Sequence, residues 1–373
     1  MMMDSIRLCV TKSVIDEWEM KKHFYIILIG AIFVTHCSPN QNKIEKNIQD
    51  HFRFKVIAEI GVEGAITKEE EPYQFSHIRS VDCDEDGNIY ILDHKDVCVK
   101  VFDKSGRFLR KILSSGQGPG EIMNPYRVKV NKFRNSLFVL HEHGFRLKEF
   151  DVNGDYINYY SLPEQMVHYF DFLDSSTVVY VAMGKYGEDG YKSIKILDLD
   201  SLEIIQEFAP TKRYSLINGY QQFVVDNDIL WTCPGDMMEL VGFDLKTGDI
   251  RRQVPLKVSY TPYQIIRKDL APGTGYESAR IYNFAQPFFI DDLIFIFLTQ
   301  QEFPEDSTEE IPPPNRRSIK VYCFENSDLV ETGDFPDFDF FINIQATWRN
   351  RIIVSSSSYD LIPKFIILEV QLD

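Results

Sequence analysis

No stretch of this chain is apolar for the roughly 20 residues that a membrane-crossing helix needs. No convincing amphipathic helix follows the leader either. Cysteine is scarce and unpaired. Cys9 and Cys37 fall in the leader, while Cys83, Cys98, Cys233 and Cys323 are scattered with no Cys-x-x-Cys pair, which argues against a zinc site. Each of those four sits in a strand-like run and is expected to be a buried free thiol. Positive charge is short, with 40 Lys and Arg against 56 Asp and Glu and a net charge of -16. Such a surface repels a phosphate backbone, so nucleic acid is not the partner. A Gly-x-Ser-x-Gly elbow is missing, and the Ser run at 355–358 has no matched base.

Apolar residues, by contrast, make up 44% of the chain and aromatics 13%, enough for a folded core. At 373 residues the length alone suggests several domains, but a closed all-β ring can use it whole.

The first 37 residues read as targeting. Lys21 and Lys22 form a basic n-region, and "FYIILIGAIFVT" (Phe24–Thr35) suits a signal h-region. The run ends in "VTHC", which puts Cys37 where a bacterial lipoprotein signal carries its lipid-accepting cysteine. His36 departs from that pattern, where a small residue is usual. The acidic stretch before Met20 fits no signal, so translation is expected to start at Met20 and lipid to be attached at Cys37. Residues 38–51 are polar and read as a tether, leaving 52–373 for the folded domain.

That domain repeats. "IRSVDCDEDGNIYILDHKDVCVKVFDKSGRFLRKI" from Ile78 aligns without a gap on "YRVKVNKFRNSLFVLHEHGFRLKEFDVNGDYINYY" from Tyr126, at an offset of 48. Arg79 falls on Arg127, Lys100 on Lys148, Asp103 on Asp151 and Gly106 on Gly154. Each unit reads as four strands with an Asp-x-x-Gly turn before the last, the unit of a propeller blade. Looser copies begin near His168, Gly219 and Ile281, the last interrupted by "EFPEDSTEEIPPPN". The final copy has only three strand runs, and "FRFKVIAEIGV" (Phe52–Val62) supplies the fourth. The expectation is an all-β, six-bladed β-propeller whose last blade is closed by the N-terminal strand, with no free sheet edge between the chain ends.

Through "DEDGNIYILD", "VFDKSGRFLRKI" and "GQGPGEIMNP" the chain resembles the NHL-like six-bladed β-propeller lipoproteins of Bacteroidetes. The resemblance covers roughly residues 52–373. It implies a fold and a cell-envelope address, and no single activity, because propellers host binding and catalysis alike.

Several motifs compete as sites. "SSGQGPGEIMNP" (114–125) has no Gly-Lys-Ser/Thr ending and no helix behind it, so it is no phosphate loop. It reads as a corner between blades, with Gln117 and Glu121 as the side chains that could also touch a ligand. "DCDEDG" offers Asp82, Asp84 and Asp86 in the manner of a calcium loop, though a tight turn at Asp86-Gly87 accounts for it. "HEHG" places His141 and His143 two apart, on one face if the strand continues, with a solvated loop as the plainer reading.

Starts of inner strands should converge at the channel mouth. Carrying the alignment forward gives Arg79, Arg127 and His168, then approximately Tyr220, Asn283 and Asn343. Two arginines there could fork a carboxylate or sulfate. The expected function is therefore an exported, lipid-anchored propeller that needs no cofactor. It would face the periplasm and bind a cell-envelope protein or a small anion through Arg79, Arg127, His168, Gln117 and Glu121. The alternative is a metal-assisted hydrolase or lyase built on His168 in the channel.

Overall fold

The structure is a computed structural model. It describes residues 52–62, 67–163, 167–182, 190–210, 220–234, 239–256, 263–267, 278–281, 283–302, 316–325, 328–336, 338, 342–356 and 363–372. The leader, Met20, Cys37 and the tether lie outside these residues.

Six four-stranded antiparallel sheets form the blades of a β-propeller. From the inside outward, blade 1 comprises Ile78–Cys83, Ile89–Asp93, Cys98–Phe102 and Phe108–Ile112. Blade 2 comprises Arg127–Asn131, Ser136–His141, Arg146–Asp151 and Tyr156–Ser161. Blade 3 runs Val167–Phe172, Thr177–Ala182, Lys192–Asp198 and Ile204–Pro210, and blade 4 Tyr220–Asp226, Ile229–Pro234, Glu239–Asp244 and Ile250–Pro255. Blade 5 is Asn283–Ile290, Leu293–Glu302, Arg316–Glu325 and Asp328–Asp334. Blade 6 takes Ile342–Trp348, Arg351–Ser356 and Phe365–Leu372 from the end of the chain and Phe52–Ile60 from its beginning. That last pairing is antiparallel, from Phe52 opposite Leu372 to Ile60 opposite Phe365. The ring closes as the repeat implied.

Strand patterns follow from position in the blade. Middle strands such as Ile89–Asp93 and Cys98–Phe102 are buried at every residue, because a neighbouring blade covers each face. Outermost strands such as Phe108–Ile112 alternate between covered and exposed residues. The apolar core is accordingly divided among the junctions between blades. Tyr90, Val101, Val128 and Val139 fill the junction of blades 1 and 2, and Ile60, Phe75, Phe102 and Phe365 that of blades 6 and 1. The four other junctions are filled likewise. Cys98 and Cys233 are buried free thiols as expected, Cys323 is buried, and Cys83 is a half-buried free thiol.

The Asp-x-x-Gly turn ties a blade to the one before it. Asp103 accepts hydrogen bonds from the Ser105 and Arg107 amides, and Gly106 sits at φ +85°. A Cβ on Gly106 would fall 2.6 Å from Ile60 Cδ1, on the outermost strand of the preceding blade. Gly154 stands in the same way against Ile112, and Gly248 against Phe208.

Two features depart from the sequence reading. Ser278–Ile281 belongs to a separate two-stranded hairpin with Tyr263–Arg267, and blade 5 begins only at Asn283. The two repeats that align without a gap are also out of step in their inner strands. Leu92 opposes Ser80 while its counterpart Leu140 opposes Arg127, an offset of 47 between Ser80 and Arg127. A β-bulge at Arg79 adds a residue to the blade 1 strand, and a shorter turn from Asp84 to Asn88 removes one. The two irregularities cancel in the sequence.

Deleting Phe52–Ile60 should therefore abolish cooperative unfolding, because it uncovers Phe365–Leu372 and empties part of two interblade cores. A truncated protein that melts at the parent temperature by circular dichroism would refute this closure.

Candidate functional site

Around the channel each innermost strand neighbours the next, from blade 1 through blade 6 and back to blade 1. They begin at Ile78, Arg127, Val167, Tyr220, Asn283 and Ile342, within one residue of the sequence expectation. Arg79 and His168 both occupy bulges one residue into their strands, flanked by the register shifts Ile78/Ser80 and Val167/Tyr169. A bulge re-aims its side chain, and here two bulges flank the regular strand that starts at Arg127.

The uppermost layer consists of Arg79, Tyr126, Arg127 and His168. The Arg79 guanidinium carbon lies 4.4 Å from the centre of the Tyr126 ring, and Arg127 lies 4.5 Å from that of Tyr169. Arg127 Nε donates to the His168 carbonyl at 2.9 Å, and the Tyr126 hydroxyl is 3.0 Å from His168 Nδ1. Neither guanidinium forms an ion pair with a carboxylate among the described residues. Both positive charges are thus placed by aromatic faces, which orient a guanidinium without neutralising it.

One step deeper along the same strands, Lys129 Nζ bridges Asp82 Oδ1 at 3.3 Å and Asp171 Oδ2 at 3.0 Å, joining blades 1, 2 and 3. Asp82 also accepts the Val130 amide at 2.8 Å. Burial would lower the Lys129 pKa, but Asp171 and Asp82 more than offset it and hold the ammonium charged. Burial raises the Asp82 pKa and the like charge of Asp171 adds to that rise, since both carboxylates share a single lysine.

The upper layer has the opposite balance. Burial lowers the Arg127 pKa from its ordinary value, and Arg79 acts in the same direction. For His168, burial first and then the charges of Arg127 and Arg79 bring the pKa from 6.5 to about 4. A neutral imidazole therefore sits beside two cations at neutral pH. Farther round, the His77 and His94 rings meet edge to face at 5.7 Å, and His94 Nδ1 is 2.8 Å from the Pro125 carbonyl.

The corner at 114–125 is built from within. Glu121 Oε2 accepts the Gly118 amide at 2.7 Å, and a Cβ on Gly116 would overlap the Glu121 carboxylate. Lys148 reaches up from blade 2 to the carbonyls of Gly118 at 3.0 Å and Glu121 at 2.6 Å. Its repeat partner Lys100 does the same for the Gln74 carbonyl ahead of blade 1. Gln117 is exposed, with its amide 3.9 Å from the Met123 sulfur. Glu121 is thus engaged inside its own loop, apart from the arginine pair.

Other sequence motifs disperse. Asp84 caps its own turn through the Asn88 amide at 2.8 Å, while Asp82 faces Lys129 in the channel. The strand carrying His141 ends there and the turn Glu142–Gly144 follows, so strand alternation does not govern His143. His141 is buried rather than solvated, at 2% exposure. Among the described residues no group of three or more His, Cys, Asp or Glu side chains is placed to hold a metal, and no helix there is long and apolar enough to cross a membrane. Sequence reasoning missed Tyr126, Tyr169, Lys129 and Asp171. Their signal was the pairing "YR" and "HY" at two inner-strand starts, and alternate residues inward from them.

The sequence matches a domain of unknown function, DUF4934, over residues 76–244. Among solved structures it is similar to a member of the DUF4221 family from Bacteroides vulgatus, at 13% identity and TM-score 0.60, covering 87% of this chain and 100% of that one. It is also similar to a "Putative exported protein" from Bacteroides fragilis, at 11% identity and TM-score 0.58, covering 86% and 95% respectively. These likenesses concern the fold. No curated protein matches the sequence.

Burial, with neighbouring cations, also brings His141 to about 4, so folding keeps protons off both His141 and His168. In the unfolded chain each would protonate near 6.5. The stability from their neutral forms is complete above that pH and is lost as pH falls toward 4, by about 1 kcal/mol per pH unit for each ring. The urea midpoint should fall between pH 7 and pH 5, and fall less steeply in His168→Asn. A midpoint with the same pH slope in both proteins would contradict this.

Proposed function

We propose that the chain is an exported, lipid-anchored propeller that binds an anionic group at the channel mouth, with Arg79 and Arg127 as the clamp and His168 beside them. The anion belongs to a small ligand or to a cell-envelope partner. The observation that carries this reading is the pair of guanidinium groups from adjacent blades, each laid on a tyrosine and neither paired with a described carboxylate. In a chain of net charge -16 an unneutralised cationic pair is a local exception, and guanidinium edges suit carboxylate or sulfate.

The distribution of connections supports the same face. The crossing from blade 1 to blade 2, residues 113–126, is long and arrives at Arg127, at the mouth. Turns on the opposite face are as short as Asn227–Asp228, Asp291–Asp292 and Arg349–Asn350. Binding residues concentrate on the elaborated loops of a rigid scaffold. The metal-assisted hydrolase alternative lacks any such supporting observation.

Calorimetry with caproate and with sulfate tests the clamp. Arg127→Ala should weaken binding at least about tenfold, the usual cost of losing a charged hydrogen-bonding arm. Arg79→Ala should act in the same direction while leaving the melt unchanged, since Arg79 is exposed. Equal affinity in parent and both variants would overturn the assignment.

The address rests on the basic and apolar leader ending at Cys37, and the Bacteroides fragilis likeness is in keeping with it. Mass spectrometry of the mature protein in its host should find an N-terminus at Cys37 carrying lipid. An N-terminus upstream of Met20 would refute both the start and the anchor.

A further inference from the structure

We infer that the anion held at the mouth belongs to an ω-amino carboxylate, a ligand whose ammonium group lies several bonds from its carboxylate and is received by Asp171 and Asp82 in the layer below. This rests on the clamp reading above and adds the chemical class of the ligand.

The two layers carry opposite, incomplete charge. Above are Arg79 and Arg127 with no described carboxylate partner. Below are two carboxylates and one ammonium, Asp82 and Asp171 around Lys129. Along the channel the protein therefore presents positive charge at the mouth and a residual negative charge beneath it. A simple dianion would bring its second charge against Asp171. A monoanion with an apolar tail would gain nothing from the lower layer. A molecule with carboxylate up and ammonium down complements both.

The spacing suits one small molecule. Arg127 and Lys129 are two residues apart on one strand, about 6.6 Å along its axis. Both approach the same ring, with Arg127 at 4.5 Å and Lys129 at 5.7 Å from the centre of Tyr169. That distance excludes an α-amino acid bridging both layers through its backbone groups, and it fits a short chain between amine and acid. Asp171 is the accessible acceptor, with 39% of its side chain exposed against 14% for Asp82. Its Oδ1 accepts the Phe172 amide at 2.8 Å, which fixes the carboxylate with Oδ2 toward Lys129. An incoming ammonium would relieve the repulsion between two carboxylates that now share one cation.

Calorimetry on the purified protein with caproate, ε-aminocaproate and hexylamine separates the possibilities. ε-Aminocaproate should bind roughly tenfold more tightly than caproate, with hexylamine not detected. In Asp171→Asn the advantage of the amine should largely vanish while caproate still binds. The comparison on the parent protein stands even if that variant does not fold. Equal binding of caproate and ε-aminocaproate, abolished in Arg127→Ala, would overturn this inference and leave the anion clamp standing. An amine advantage that survives in folded Asp171→Asn would overturn the role of that carboxylate. Failure of both acids to bind would overturn the clamp and this inference together.

Discussion

A blade of this protein cannot bury itself. Its middle strands are covered on both faces, and only a neighbouring blade can supply the cover. Each blade thus depends on the next, and the dependence ends only when the last returns to the first. The pairing of Phe52–Ile60 with Phe365–Leu372 meets that condition. Gly106, pressed against Ile60, shows how little room the closure leaves. At the same junction Trp348 Nε1 of blade 6 donates to the Glu85 carbonyl at 3.2 Å, with its indole over Gly87. Residues from both ends of the chain and from its first repeat are held in one place.

Closure also creates the channel, since six inner strands in a ring must bring their starts together. Chemistry at that mouth is not symmetric. Blades 1 to 3 contribute Arg79, Asp82, Arg127, Lys129, His168 and Asp171. The inner strands of blades 4 to 6 contribute amides and small apolar residues such as Gln222, Ala285 and Gln345. Gln222 and Gln345 are engaged within the scaffold, at the Pro287 carbonyl and the Ser355 hydroxyl. Among the described inner strands similar backbones thus carry a charged half and a neutral half, the asymmetry that the ligand proposed above would need.

Much of the fold was legible because the repeat constraint is local. An Asp-x-x-Gly turn needs its aspartate to accept the turn amides and its glycine to adopt positive φ, so "DKSG" and "DVNG" announce themselves. The bulge at Arg79 was illegible for a specific reason: the turn that follows is one residue shorter, and an alignment sees only their sum. The hairpin of Tyr263–Arg267 and Ser278–Ile281 was hidden because two strands do not make a blade and the search was for blades. At the site, arginine and histidine were readable as residue types. What they touch was not, because Tyr126 and Tyr169 look like ordinary strand aromatics until neighbouring blades lay a guanidinium on each and an imidazole beside Tyr126.

The way this chain uses its other cations is what sets the arginine pair apart. Lys100 and Lys148 stand at equivalent places in blades 1 and 2, and each is directed at backbone carbonyls of the crossing above it. Lys195 and Lys320, on the matching strands of blades 3 and 5, meet Glu207 at 2.9 Å and Glu331 at 2.7 Å. Where a cation serves the scaffold, the sequence supplies an oxygen for it. Arg79 and Arg127 are given aromatic faces and no described carboxylate, Arg127 adding one bond to the His168 carbonyl, and Arg127 keeps its charge against both burial and a second guanidinium. A ring stabilised only for its own sake would place a carboxylate there, as it does one layer down at Lys129. Leaving that place open costs the folded state some stability, and on the clamp proposed above an arriving anion would offset the cost.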